Sequence, residues 1–216
     1  MEGGHACPAG LGRSLAGQVL RVTRADGPRA GDRRTDDQQA RDLFANDLLA
    51  EGEPEAEFHP GVAARMPRKR VGAGAVVRDG EGRVLLVEPR YKPHWDLPGG
   101  VVEAGESPLD GCRRELAEEL GLDLPVTRLL VVDWGPQQGV WHDALLFVFD
   151  GGVLTPEQAD AVRVPPDELH AARFVPLAEG AAHLRPSTVR RLVSALAVLA
   201  TGSPAPVHLQ FGRPVR

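Results

Sequence analysis

Cysteine is nearly absent from this chain: Cys7 and Cys112 are the only two among 216 residues. They lie far apart, one in a glycine-rich start and one inside an apolar helical pattern. A disulfide framework is therefore excluded, and a reducing, cytoplasmic setting is expected. Positive charge is not in excess either. The formal net charge is -5, and the basic run Arg68-Lys69-Arg70 is too short to follow a phosphate backbone, so no nucleic-acid polymer is expected as a partner. No stretch approaches the roughly 18 apolar residues of a membrane span. The N-terminus also lacks the apolar core of a signal peptide, which leaves no membrane association to expect. Any phosphate chemistry must come from a local site.

Apolar residues are also scarce at the start of the chain. Residues 1–66 contain stretches such as "RADGPRAGDRRTDD" with almost nothing to bury, and such a segment cannot offset its ordering entropy. A largely disordered N-terminal extension is predicted there. One island near 38–51, "RDLFANDLLAEG", carries Leu43, Phe44 and Leu48 at helical spacing and predicts a short helix. Met66 stands just before the change of pattern and is an alternative start.

From residue 67 to 202 the pattern is that of an α/β domain. "VGAGAVV" and "RVLLVEP", separated by the turn "DGEG", read as strands, the second apolar throughout and so central. A glycine-rich loop and short strand, "WDLPGGVVEAGE", lead into a helix from Pro108 to Leu120. Ser107 suits its N-cap, Pro108 its first turn and Gly121 its left-handed C-terminal position. Strands follow at "TRLLVVDWG", "HDALLFVFDGG" and "ARFVPL". A last helix, at 187–201, is predicted to bury Val189, Leu192, Val193, Leu196 and Leu199. Strands alternating with two helices imply helices on both faces of a mixed sheet, and residues 203–216 read as a C-terminal tail.

The first helix poses a question. Its segment "RRELAEEL" stacks Glu115, Glu118 and Glu119 within about 100° of arc, where they repel one another. Two readings compete at this point. The acids form a solvated face, with Arg114 pairing to Glu118 at the i,i+4 spacing. Alternatively, a divalent cation sits among them. Three carboxylates with no His or Cys beside them favour a hard, oxygen-preferring ion such as Mg²⁺ or Mn²⁺ over zinc, and Mg²⁺ takes its remaining ligands from water and substrate phosphates. Two nearby features favour the cation. Gly99-Gly100 permit a close backbone approach to an ion or phosphate, and Glu106 can pair with Arg114 to fix the loop over the acids.

Written from Gly100, the sequence "GVVEAGESPLDGCRRELAEELGL" resembles the Nudix box: Gly, five residues, Glu, seven residues, Arg-Glu, an aliphatic, any residue, Glu-Glu, any residue, Gly, an aliphatic. Gly100, Glu106, Arg114, Glu115, Leu116, Glu118, Glu119, Gly121 and Leu122 fill every fixed position. The resemblance implies a Nudix-type α/β/α sandwich over 67–202. It further implies Mg²⁺-dependent, or Mn²⁺-dependent, hydrolysis of a pyrophosphate bond in a nucleoside diphosphate derivative or related small-molecule diphosphate. Homodimers are common in that family. Glu115, Glu118 and Glu119 are then the expected metal ligands, with Glu115 also a candidate to deprotonate water. Gly100 is expected to offer its carbonyl to the metal, and Glu106 with Arg114 to form the supporting salt bridge.

Substrate contacts are less sharply marked. Arg90, Lys92 and His94 can reach phosphates, while Tyr91 or Trp95 can stack on a base; Trp95 reads equally as core. A further acid from beyond the box has four candidates, Asp143, Asp150, Glu157 and Glu168, and His142 reads as a strand residue. Two rival functions stand beside hydrolysis: a non-catalytic nucleotide-sensing module, and a diphosphate isomerase on the same fold. The intact box argues against the first, and the lack of a cysteine and glutamate pair placed to protonate an alkene argues against the second.

Overall fold

The computed structural model describes residues 45–51, 56–126 and 128–215. Its contacts divide the chain into two units, Met1–Arg65 and Met66–Arg216. In the first unit, residues 45–50 are helical, and a single turn, Val62–Arg65, follows at its end. The Glu57 carboxylate accepts the amides of Gly61 and Ala63 at 2.6 and 2.8 Å, capping that turn. Leu48 and Leu49 are exposed. Residues 1–44, with the rest of the predicted helix, lie outside the described residues.

The second unit holds an eight-stranded sheet. Its strands are β1 (Arg70–Arg78), β2 (Val84–Pro89), β3 (Gly99–Val101), β4 (Leu129–Gly135), β5 (Ala144–Val153), β6 (Leu169–Val175), β7 (Val207–Gln210) and β8 (Arg213–Pro214). The order is β6-β2-β1-β5-β4-β7-β8, with β3 paired to β1 through Gly72–Gly74. β1 runs parallel to β5 and β4 parallel to β7, while the other pairs are antiparallel, so the sheet is mixed. The helices of this unit are α1 (Pro108–Leu120), α2 (Pro156–Asp160), α3 (Leu177–Gly180) and α4 (Pro186–Thr201).

Alternation along β1 sends its residues to two cores. Ala73, Ala75 and Val77 join Cys112, Leu116 and Leu120 of α1, whereas Val76 on the other face joins Leu192, Ala195 and Val198 of α4. This makes the expected α/β/α sandwich. α1 has the limits its sequence announced: Ser107 Oγ accepts the Asp110 amide, and Gly121 closes the helix in the left-handed region at φ 68°.

Two expectations are corrected. On α4, Leu192 is buried and Val189, Leu196 and Leu199 pack against the core as expected, but Val193 faces solvent, 47 % exposed, and Thr188, Arg191, Ala195 and Val198 are buried in its place. The buried face also takes in a charged residue: Arg191 grips buried Asp133 of β4 through Nε and a terminal nitrogen, at 2.9 and 2.8 Å. The segment read as a C-terminal tail also contributes β7 and β8 to the sheet. Its turn is fixed by the Gly212 amide, which donates to both Asp133 carboxylate oxygens at 2.9 and 3.0 Å.

Candidate active site

The site forms where the loop before α1 is drawn against the acidic side of that helix. Gly74 of β1 leaves room for the Pro98 carbonyl, which accepts the Ala75 amide at 3.0 Å; a Cβ at 74 would lie 2.7 Å from that oxygen. Gly99 continues at φ +138°, where a Cβ would meet the Ala73 carbonyl at 2.3 Å. Its freed amide donates to Glu119 Oε2 at 2.7 Å. At Gly100 a Cβ would fall 2.3 Å from the Glu115 carboxyl carbon. The two glycines therefore let two carboxylates of α1 lie directly against the backbone.

Arg114 organises the other side. Its Nε and one terminal nitrogen bind the Glu106 carboxylate at 3.0 and 3.1 Å, and the latter also reaches the Val101 carbonyl at 2.9 Å. The expected pairing with Glu106 is present, but Arg114 is not reserved for it. The remaining nitrogen donates to Glu115 and Glu118, both at 3.0 Å, because a planar guanidinium has donors to spare for neighbours on its own helix. The Arg114 bonds, with the Glu103 amide, hold the Glu106 carboxyl below its ordinary range.

Glu115 and Glu119 are shifted the other way. Burial raises the proton affinity of Glu115, with the charges of Glu118 and Glu168 adding to it against the opposing pull of Arg114. Burial pushes Glu119 up to about 7, despite the Gly99 amide. Such carboxylates lack a full counter-charge. Their oxygens suit a hard cation, which would relieve both the burial and the mutual repulsion. As the side chains stand, no group of three His, Cys, Asp or Glu among the described residues is gathered closely enough to hold an ion, and Glu118 points to solvent, 57 % exposed. Completing such a site requires Glu118 to leave Arg114 and turn inward.

A cavity of about 440 Å³ opens on Glu115, Glu119, Gly99, Gly100 and Val101. Of the four acids proposed from beyond the box, only Glu168 reaches it. Asp143 is taken by Lys69 and by Trp134 Nε1, Asp150 by Arg78 and the Gly152 amide, and Glu157 sits in the first turn of α2. Glu168 is placed by the strand pair behind it: its carbonyl accepts the Arg90 amide at 2.9 Å, where β2 ends beside β6. Asp167, also on the rim, is a residue that sequence reasoning missed; its only signal was adjacency to Glu168.

Arg90 and Tyr91 line the same cavity. Lys92 and Trp95 border a neighbouring one of about 450 Å³, which shares Arg90 and Tyr91. Lys92 is paired with Asp96 at 2.8 Å. Trp95 stacks on His183 at 4.1 Å and packs against the α4-side core, closer to its core reading than to an open stacking surface. His94 lines neither cavity.

A family model for the NUDIX domain matches residues 68–196. The chain belongs to the Nudix hydrolase family. A MutT-like protein of Streptomyces ambofaciens is 35% identical over 133 residues, covering 57% of this chain and 86% of that protein. A putative 8-oxo-dGTP diphosphatase 2 of Mycobacterium tuberculosis is 49% identical over 59 residues, but that match covers only 25% of this chain and 40% of the relative. The crystal structure of a MutT Nudix hydrolase from Burkholderia pseudomallei superimposes with a TM-score of 0.51 at 28% identity, covering 61% of this chain and 99% of that one. The Nudix match spans both the acidic helix and the strands that place Gly100 and Glu168 around it. No described helix is long and apolar enough to cross a membrane.

Proposed function

We propose that the protein hydrolyses a pyrophosphate bond in a nucleoside diphosphate derivative, with Mg²⁺, or Mn²⁺ in its place, held by Glu115, Glu118, Glu119 and the Gly100 carbonyl. One observation carries this reading: a buried and a partly buried carboxylate of α1, Glu119 and Glu115, both short of positive charge, line a cavity beside a backbone opened by two glycines. The cation, when bound, neutralises phosphate oxygens and makes water easier to deprotonate.

The chain's own groups supply the rest. Glu115 takes the proton from the attacking water, and its raised proton affinity brings it nearer to the range useful for a base at neutral pH. Glu168, across the cavity, adds a negative charge that strengthens that basicity and offers a second acceptor for the proton. Arg90 brings a cation to the same cavity for the substrate's phosphates. Glu106 and the Val101 carbonyl hold Arg114 in place, so Arg114 keeps the loop seated when Glu118 turns away.

Isomerisation chemistry finds no support among the described residues. The cysteine there, Cys112, is buried in the core, and burial pushes its thiol up to about 12.

The test is a panel of nucleoside diphosphate derivatives incubated with Mg²⁺ and then Mn²⁺, with products identified by mass. Turnover should be lost in Glu118→Gln with the circular dichroism spectrum unchanged, because that side chain is exposed. Full activity in Glu118→Gln would remove it from the ligand set. Nucleotide that binds but is never cleaved by the native protein would favour the sensing module.

A further inference from the structure

The loop that leaves β2 carries Arg90 and Tyr91 to the wall of the catalytic cavity, and Lys92 and Trp95 to the wall of its neighbour. Little within the loop holds it there. Among the described residues, no backbone amide or carbonyl from Tyr91 to His94 makes a backbone hydrogen bond, and Tyr91 is 74 % exposed. Its internal ties are side-chain contacts of Lys92, with Asp96 at 2.8 Å and over the Tyr91 ring at 5.4 Å. A segment without ladder bonds keeps one shape only as far as its ends are fixed.

At the near end, the Arg90 amide donates to the Glu168 carbonyl at 2.9 Å. At the far end, Asp96 and Val87 exchange both backbone hydrogen bonds at 3.0 Å. One residue earlier the anchor changes partner. The Trp95 amide donates to the His183 carbonyl at 3.1 Å, Trp95 forms an isolated bridge with Leu184, and its indole lies stacked on the His183 imidazole with ring centres 4.1 Å apart and planes 14° from parallel. His183 lines neither cavity. It stands in the connector between α3 and α4, and that connector is firmly seated. The His183 amide donates to the Gly180 carbonyl at 3.0 Å, Leu184 is buried, and Gly180 brings α3 so close to β2 that a Cβ there would lie 2.7 Å from a Leu86 methyl. The imidazole is therefore a fixed surface against which a loop residue rests, and a stacked ring pair stabilises beyond the area it buries.

We infer that His183 is a positioning residue for substrate binding: its ring, stacked on Trp95, fixes the far end of the loop and so keeps Arg90 in place at the catalytic cavity. The inference rests on the proposed function for what Arg90 binds, the phosphates of a diphosphate. Without the imidazole the ligand itself must order the loop, which lowers affinity. The acidic helix is held independently, through the Gly99 amide on Glu119 and the Pro98 carbonyl on the Ala75 amide, so the bond-breaking step does not depend on His183.

The test compares His183→Ala and His183→Phe in the full chain, by steady-state kinetics in Mg²⁺ on the nucleoside diphosphate derivative cleaved best, and by calorimetric titration with methylene diphosphonate, an uncleavable pyrophosphate. His183→Ala should raise KM about three- to tenfold and weaken the diphosphonate by a similar factor. Its kcat should stay within about twofold of the native value, the pattern of a lost binding contribution. His183→Phe, which returns a ring to Trp95, should restore both. Arg185→Ala is the control: it frees the same connector from Gln138, on a loop that lines neither cavity, and should change neither. The inference is overturned by native KM and diphosphonate affinity in His183→Ala, by no rescue in His183→Phe, or by an equal rise of KM in Arg185→Ala. It is also overturned if kcat falls together with the unfolding temperature in His183→Ala, since the ring would then serve the fold alone. If the native protein binds the diphosphonate but cleaves nothing, the hydrolytic reading falls, and His183 is judged on diphosphonate affinity. If it neither binds nor cleaves, both readings fall.

Discussion

The two long helices flanking the sheet both bury charge, and they treat it in opposite ways. On α4, Arg191 meets a fully buried Asp133 with a hydrogen bond from Nε and a close ion-pair contact from a terminal nitrogen, and the Gly212 amide donates to both oxygens of the same carboxylate. On α1, Glu119 is 7 % exposed and has the Gly99 amide as its hydrogen-bond donor, while Glu115 shares Arg114 with two other acids. A closed pair of charges fixes where a helix sits. Carboxylates left short of positive charge are the groups that the proposed cation would neutralise.

Substitutions can break this contrast at either end. Glu115→Gln should reduce turnover by about 10²–10⁴-fold with little change in unfolding temperature, measured by steady-state kinetics beside thermal denaturation. Arg191→Ala should do the opposite. It leaves Asp133 buried without its partner, at a cost of about 3–5 kcal/mol in denaturant unfolding. Replacing Asp133 and Arg191 together with apolar residues of similar volume should restore much of that loss, which a purely steric account of Arg191 would not predict.

A smaller effect sharpens the contrast through pH. Glu119 in the folded, metal-free protein titrates near 7, above its ordinary 4.5, so the folded state keeps a proton that the unfolded chain has already lost. Its contribution to stability is present at low pH and declines as pH rises from about 4.5 through about 7. Urea unfolding across that window should show the decline in EDTA, and Glu119→Gln should flatten it. The smallest effect tests the helix alone: Ser107→Ala, which removes the N-cap of α1, should cost about 1 kcal/mol with the carboxylate arrangement intact by spectroscopy.

What could be read from the sequence followed the range over which each feature is determined. α1 was legible from its caps to its acids because Ser107, Pro108 and Gly121 act on adjacent backbone, and the Nudix box is contiguous. The stripe of α4 was read with Val193 and without Arg191, because only a partner 58 residues away on β4 makes that arginine an inward residue. Glu168 could not be separated from three other acids for a similar reason. It enters the cavity through the pairing of β2 with β6, which no local spacing reports. The C-terminal strand did carry a signal: Val207, Leu209 and Phe211 alternate with polar residues, but four residues after a proline-containing stretch are a weak strand pattern. Arg114 was assigned to Glu106 correctly, yet its bonds to Glu115 and Glu118 depend on side-chain rotation that sequence leaves free.

That short C-terminal hairpin has a consequence for how the molecule behaves in a crowded solution. β7 covers the open side of β4 along Val131–Trp134, so the backbone donors and acceptors of an apolar strand are not offered to other chains. The border then passes to β8, two residues long, consisting of an arginine and a proline. A brief edge with a charge and a missing amide is a poor template for another strand. Removing residues 207–214 would expose β4 as a sticky margin, and the first symptom would be self-association.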